Sequence, residues 1–461
     1  MRNSLLSRLS FGVVLICASL LTTFSWAADL PAHFVYRGSL IHFPENRQEA
    51  GQEVKRFQID AFVDQAADNE LVMNYVISEN GNGGWHWSQQ FGSLTYNTVQ
   101  NSPGGRAWML LNNYDESEYE VVFRAPWFEE RGQLAEGASW ESNPFTFSVK
   151  SKENPAGAPS WQVNMKHNLS RDQKLVVASE TGLVQQASQT LFMGQGQRFQ
   201  LDWKLEEQLP LDNNAAAAIA KVWKSLADLQ KELGVDLYVP ITDLNADQLE
   251  LTRAKLASLK SEAAGTPFES LVRKIELQTE IGEERADSMA ALAANFVGKA
   301  APDFQLTTMR NGAVAKEEYS GKPVVLHFWR YQDQSLKAPY GQTGYLDFLY
   351  NQREKSGVKV YGIAVDPRLG DPQTKRSALL QIKKTVRFMN LSYPVTLDDG
   401  EILRSFGNPQ ASAGELPLWV VLSPDGKVVH YFAGHYEVKP NEGLKELDSL
   451  LAELLEPAAE K

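Results

Sequence analysis

Three successive stretches of this chain carry three different hydrophobic patterns, which together predict a multidomain protein: an N-terminal all-β part, a central α-helical bundle and a C-terminal α/β part. From about 34 to 205, apolar and polar residues alternate in short runs broken by turn residues. An alanine cluster at 215–218 then opens a stretch whose apolar residues recur at helical spacing. After Gly298, near-continuous apolar runs alternate with amphipathic ones, as buried strands and their covering helices do.

The β part, expected over 28–210, is clearest in Arg56-Phe57-Gln58-Ile59-Asp60-Ala61-Phe62-Val63 and Glu70-Leu71-Val72-Met73-Asn74-Tyr75-Val76-Ile77. Further strands are predicted at 106–111, 119–123, 145–150, 161–165, 175–178 and 198–203. Gly81-Asn82-Gly83-Gly84, Pro103-Gly104-Gly105 and Gly194-Gln195-Gly196 supply turns between them. Many antiparallel strands at short intervals fit a sandwich or an open barrel, and the pattern does not choose between the two.

The helical part is expected over 211–297. Its first helix places Ile219, Val222, Trp223, Leu226, Leu229 and Leu233 on one face and ends at Gly234. A second begins near Asn245 and turns Leu249, Leu256, Leu259 and Ala263 inward. The third has Thr266 as N-cap, Pro267 at the first helical position and Glu269 closing a capping box, followed by Leu271, Val272 and Ile275. An antiparallel bundle fits these marks.

The α/β part, expected over 298–461, has apolar strands at 324–329 and 358–365. Helices are predicted at 345–353 and 379–388, and strands at 418–422 and 428–432 meet through the turn Pro424-Asp425-Gly426. A last amphipathic helix carries Leu444, Leu447, Leu451 and Leu454.

Residues 1–27 read as a secretory signal: Arg2 and Arg8 supply positive charge, 11–24 is mostly apolar, and Ser25-Trp26-Ala27 ends on a small residue. The mature chain is therefore expected to begin at Ala28 and to be periplasmic or otherwise exported. The apolar run is shorter than the roughly 20 residues of a membrane span, so no stable membrane anchor is expected after cleavage. Cys17 is the only cysteine and lies in this segment behind Ile16, where bacterial lipoprotein signals carry a small residue. The exported chain then has no thiol, hence neither disulfides nor cysteine chemistry within one chain. The formal net charge of −12, or −14 once Arg2 and Arg8 leave, disfavours nucleic acid and anionic membrane as partners.

Five motifs of the C-terminal part, in order, resemble the bacterial exported thioredoxin-like redoxin family, of the TlpA and AhpC/TSA type. They are Gly298-Lys299-Ala300-Ala301-Pro302-Asp303-Phe304-Gln305-Leu306, Gly321-Lys322-Pro323-Val324-Val325-Leu326-His327-Phe328-Trp329 and Gly357-Val358-Lys359-Val360-Tyr361-Gly362-Ile363-Ala364-Val365-Asp366. Tyr393-Pro394-Val395 follows, and then Leu416-Pro417-Leu418-Trp419-Val420-Val421 with its turn. The resemblance implies a thioredoxin-like fold, and a cis Leu416–Pro417 bond in a loop that faces the active-site helix and contacts a bound partner. In the family Cys-x-x-Cys follows the Phe-Trp pair; here the run is Phe328-Trp329-Arg330-Tyr331-Gln332-Asp333-Gln334-Ser335-Leu336. Asp333 and Leu336 stand where the two thiols would, with Gln334 and Ser335 between them, and Pro339 and Gly341 interrupt the helix that should follow.

A thiol at a helix N-terminus works because exposed amides and the helix dipole stabilise its thiolate. An aspartate there is ionised without help and serves as a helix cap. The leading expectation is thus a non-catalytic protein-binding or scaffolding factor of the envelope, with a protein or peptide partner, no cofactor and a docking groove at Pro417. A rival is an enzyme of the same fold using non-thiol groups such as Asp333, Tyr331 or His327. A third reading is a glycan-binding protein, with Trp85 and Trp87 of Trp85-His86-Trp87 stacking on sugars. The seven histidines show no paired metal spacing, His86, His430 and His435 read as strand residues, and Asp398-Asp399-Gly400 reads as a turn.

Overall fold

The structure, a computed structural model, describes residues 32–455 except 45–49, 68–69, 98–101, 106, 116, 124–125, 154–158, 236–243, 310–311, 331–341, 413, 437 and 439–441. The alternating stretch forms β1 (Ala32–Phe43), β2 (Gln52–Ala67), β3 (Glu70–Gly81), β4 (Phe91–Asn97), β5 (Ser102–Gly105), β6 (Met109–Tyr114) and β7 (Ser117–Val122). It continues with β8 (Ser139–Ser142), β9 (Phe145–Glu153), β10 (Ser160–His167), β11 (Gln173–Ala178), β12 (Val184–Met193) and β13 (Gln197–Pro210). Eleven of these make one antiparallel sheet in the order β5-β4-β3-β2-β1-β13-β12-β11-β10-β9-β8, and β6 pairs with β7 in a separate hairpin.

The period of two sorts each strand's side chains onto two faces. Phe57, Ile59, Ala61 and Val63 of β2 share one core with Phe147, Val163 and Leu175 from the opposite half of the sheet. Strands so far apart in sheet order meet only if the sheet curls, so the open barrel describes the fold and the flat sandwich does not. No pairing joins β5 to β8 among the described residues. Trp108 and Phe123, flanking the β6–β7 hairpin, fill the curl, with Trp108 5.1 Å from the Tyr36 ring and 6.4 Å from Trp203. Strand β12 escaped the sequence reading because Val-Gln-Gln-Ala-Ser-Gln-Thr offers little apolar alternation; pairing with β11 and β13 holds it.

Three helices follow: α1 (Asn213–Glu232), α2 (Ala246–Ala263) and α3 (Glu269–Ala294). The Asp212 carboxylate accepts from Asn214 N and Ala215 N to cap α1, and Asn245 with Gln248 forms a capping box on α2. The box expected at Thr266 is displaced: the Glu269 carboxylate accepts from Gly265 N, and Thr266 Oγ1 accepts from Phe268 N and donates to Ala263 O. The reason is a tight turn through Gly265, at φ +74°, which ties Thr266 to the end of α2 and delays the helix to Glu269.

The helices cover the outer face of the sheet. Phe62, Val76 and Phe91 pack with Ile219, Val222, Leu226, Leu271, Val272 and Ile275. At 26 residues, α3 is about 39 Å long and outruns this contact. Leu292 and Ala293 of its last turn, and Phe296 just beyond, pack into the next domain, where Phe296 stacks on Tyr431 at 5.3 Å.

That domain has β14 (Val324–Arg330), α4 (Thr343–Arg353), β15 (Lys359–Val365), α5 (Lys375–Phe388), β16 (Val395–Asp398), α6 (Glu401–Ser405), β17 (Leu418–Leu422), β18 (Val428–Ala433) and α7 (Lys445–Leu455). The sheet runs β16-β15-β14-β17-β18, with the first three parallel and β17 and β18 antiparallel to their neighbours. Helices α4, α5 and α7 cover one face; α6, the segment around Leu306 and Val314 and the end of α3 cover the other. This is the thioredoxin-like arrangement that the sequence resemblance implies. Gly426, at φ +80°, makes the β17–β18 turn, closed by Gly426 N to Ser423 O at 2.8 Å.

A buried ion pair sits where the β part meets α3. Lys55 Nζ lies 3.0 Å from Glu79 Oε2, with both side chains at most 1% exposed, and donates also to Gly83 O at 3.0 Å. Glu79 Oε1 accepts from Trp85 N at 2.7 Å and from Gln90 Nε2 at 3.2 Å. Removing one member leaves the other charged and dry, so Glu79→Ala is expected to lower unfolding free energy by about 3–5 kcal/mol in urea titration. A loss near zero would show that the pair is dispensable.

Candidate functional site

Strand β14 is buried from Val324 to Trp329 and pairs in parallel with β15 and antiparallel with β17. Its C-terminal end therefore lies beside the N-terminal end of β17, where Phe328 pairs with Leu418. The Leu416–Pro417 bond immediately before β17 is cis. Pro417 O accepts from Gly434 N at 2.8 Å, which anchors the loop to the far end of β18. Pro417 thus borders the C-terminal end of β14. The four positions at the centre of the predicted site, Asp333, Gln334, Ser335 and Leu336, and the rival residue Tyr331, lie outside the described residues.

The described surroundings of Pro417 are largely aromatic. His327 is fully buried and stacks on its cross-strand partner Trp419 with ring centroids 3.9 Å apart. A side chain so enclosed cannot meet a substrate, which removes His327 from the rival catalytic set. Trp419 Nε1 donates to Gly434 O at 3.1 Å, and Tyr436 packs edge-on against Trp419 at 5.3 Å. The Tyr436 hydroxyl lies 2.6 Å from His430 Nε2. Burial lowers the His430 pKa and raises that of Tyr436, so the pair is neutral near pH 7.

Sequence reasoning missed Gln342, which stands where the chain returns to α4. It has φ +57°, is 2% exposed, and uses both amide atoms on one residue: Nε2 donates to Tyr436 O at 2.7 Å, and Oε1 accepts from Tyr436 N at 2.9 Å. This clamp ties the start of α4 to the loop after β18, beside Pro417. A lone glutamine just before a helix carries no pattern, so nothing in the sequence could have found it. Asp366 and Asp398, at the ends of β15 and β16, are likewise structural: Arg368 forks onto Asp366, and Asp398 accepts from Gly400 N, Ile402 N and Leu403 N to start α6. No group of three or more acidic, histidine or cysteine side chains is placed to hold a metal among the described residues.

The structure corrects the reading of Trp85 and Trp87 as a ligand surface. Trp85 is 2% exposed and Trp87 is fully buried. The turn through Gly81 and Gly83, both at positive φ, folds the segment inward under the helices. Trp87 stacks parallel to Phe91 within the helix-facing core; Trp87 N donates to Gln278 Oε1 at 3.0 Å, and Lys274 Nζ donates to Trp85 O at 2.7 Å. Gln230 Nε2 donates to Ser88 O. His86 is in this loop, not in a strand, with Nδ1 2.9 Å from Ser88 Oγ. His435 lies just past the end of β18, and only His430 is a strand residue.

Among known proteins, the AhpC/TSA family model matches residues 297–431. The thiol-disulfide oxidoreductase ResA of Bacillus thuringiensis (strain Al Hakam) is 28% identical over 148 residues, covering 32% of this chain and 75% of that protein. ResA of Geobacillus thermodenitrificans (strain NG80-2) is 27% identical over 139 residues, or 30% of this chain and 70% of that one. The crystal structure of a thioredoxin-family thiol:disulfide interchange protein from Chlorobium tepidum TLS aligns over 34% of this chain and 96% of that chain, with a TM-score of 0.27 and 18% identity.

Two outcomes are expected from this geometry. Gln342→Ala leaves the buried Tyr436 N–H and C=O without partners, about 1–3 kcal/mol each, and should speed amide hydrogen exchange at Tyr436. Unchanged exchange there would disprove the clamp. Burial, with Lys274 nearby, lowers the His86 pKa from 6.5 to about 4. Between those pH values the unfolded chain binds a proton that the folded chain refuses, so stability falls as pH drops from about 6.5 towards about 4, by on the order of 3 kcal/mol. In acid titrations of thermal stability His86→Gln should flatten that limb.

Proposed function

We propose, with the thioredoxin-like C-terminal domain as premise, that this is an exported protein that binds partner polypeptides without exchanging electrons with them. The observation that carries the reading is a mismatch: the cis Leu416–Pro417 loop stands in an intact sheet, while no cysteine occurs anywhere after Cys17. Thiol–disulfide exchange begins with attack by a thiolate, and the relatives named as thiol-disulfide oxidoreductases bear names for that chemistry. With residues 1–27 removed the chain has no thiol and cannot perform it by that route. What remains is the loop before β17, in which Glu415 is exposed and Leu416 half-buried while Pro417 itself is buried and shapes the loop from within.

The signal-like character of residues 1–27 supports export. The glycan reading loses its support, since it required exposed Trp85 and Trp87. The non-thiol enzyme loses His327, which is buried, while Asp333 and Tyr331 lie outside the described residues.

Insulin reduction by dithiothreitol tests the chemistry: the mature protein should leave the rate of turbidity at that of dithiothreitol alone. Turnover above that rate would refute the proposal. Binding is tested by in situ cross-linking in the envelope, where Pro417→Ala should reduce recovery of a defined partner by at least about tenfold. Recovery unchanged by Pro417→Ala would remove the loop from the interface.

A further inference from the structure

We infer that the cleft between the outer edge of β18 and the α2–α3 pair is a strand-addition site for an extended peptide of a partner protein. The inference rests on the protein-binding role proposed above and adds a second contact beside the cis-proline loop. Strand β18 ends the five-stranded sheet, so its outer edge has no strand partner. Only the start of that edge is covered: Gly298 N donates to Val428 O, and Val428 N to Lys299 O, each at 2.8 Å.

Further along, the edge is open. A bulge at Val429, opposite the step from Val421 to Leu422, resets the alternation. Gly434 N donates to Pro417 O, which points that residue towards β17. With a strand's period of two, Phe432 points the same way, and the main-chain groups of Tyr431 and Ala433 point outward. These outward groups make no backbone hydrogen bond beyond the sheet among the described residues. Tyr431 and Ala433 both line a cleft of about 530 Å³, within the range of about 300–1,000 Å³ typical of ligand sites.

The opposite wall explains why the cleft exists. On the N-terminal side of the Phe296–Tyr431 contact, α3 lines the cleft with Ala293, Ala290, Ala286 and Gly282, close to one per turn, and with Met289 and Arg285 beside them. These small residues hold the helix surface back from the strand where the edge is bare. Leu249 of α2 closes the far end, its Cδ2 only 2.7 Å from where a Cβ on Gly282 would lie. Donors and acceptors repeating every second residue are matched by a polypeptide main chain in extended form, which commits the occupant to a peptide.

The test is selection of a random linear peptide library on the full exported chain, followed by affinity measurement of the selected peptides. N-methylation of alternate peptide amides should weaken binding at least about tenfold in one register and less than about twofold in the other. Ala290→Trp, which fills the cleft, should also weaken it at least about tenfold, with Ala290→Leu as the gentler filling should Trp disturb folding. Cross-linking in the envelope tests the cis-proline interface, whereas Ala290 filling and N-methyl register test the cleft, so the two failures are read separately. Absence of selected peptides, insensitivity to Ala290 filling, or insensitivity to N-methyl register would overturn the inference. Occupation by the chain's own residues 456–461, or a dimer dispersed by Ala290→Trp, would overturn the assignment to a partner.

Discussion

The burial of Glu79 is the constraint on which the placement of the other parts depends. A carboxylate removed from water needs charge and donors around it, and here Lys55, Trp85 N and Gln90 Nε2 provide them. Satisfying Glu79 fixes the course of the chain from Gly83 to Gln90. That course delivers Trp87 to the outer face of the sheet, where it becomes part of the core shared with α1 and α3. The polar groups of the same loop select the helices: Gln230 bonds Ser88 O, Gln278 accepts from Trp87 N, and Lys274 donates to Trp85 O. Lys274 is held there against its own burial, which lowers its pKa although Glu79 opposes the shift.

Helix α3 transmits this placement. Its first turns belong to the core on the sheet, and its last turn belongs to the core under the thioredoxin-like sheet. One rigid rod in two cores ties the domains together without a covalent staple, which suits a chain whose only cysteine is Cys17. Apolar burial carries the stability instead. The interior of the curled sheet is rich in large rings such as Tyr36, Trp108 and Trp203, which meet tilted or edge-on, the arrangements their quadrupoles favour.

The thioredoxin-like domain keeps the architecture around its site and lacks the atoms that give the fold its best-known chemistry. Cis Pro417, the Trp419–His327 stack and the Gln342 clamp on Tyr436 form a braced rim. Bracing of this kind preserves a shape for recognition whether or not a nucleophile is present. A fold does not by itself fix an activity, since chemistry depends on a few side chains and shape on the packing of the whole sheet.

Much of the fold was legible because it rests on local rules. The alternation at 56–63, the helical spacing from Ile219 to Leu233 and the helix start near Asn245 each express geometry within a few residues of one another. The missing thiols, too, are a property of composition alone. Curvature of the sheet, the burial of Trp85 and Trp87, the partnership of Gln342 with Tyr436 and the bare edge of β18 were decided only in three dimensions. Each joins residues far apart in the chain: Gln342 and Tyr436 are separated by 94 positions, and Trp87 and Gln278 by 191. No hydrophobic period spans such intervals. By itself, then, the sequence determined the strands and helices with a clear hydrophobic period and that no thiol follows Cys17; the tertiary structure added the strands held by pairing alone, such as β12, and decided which surfaces the segments cover and which edge they leave open.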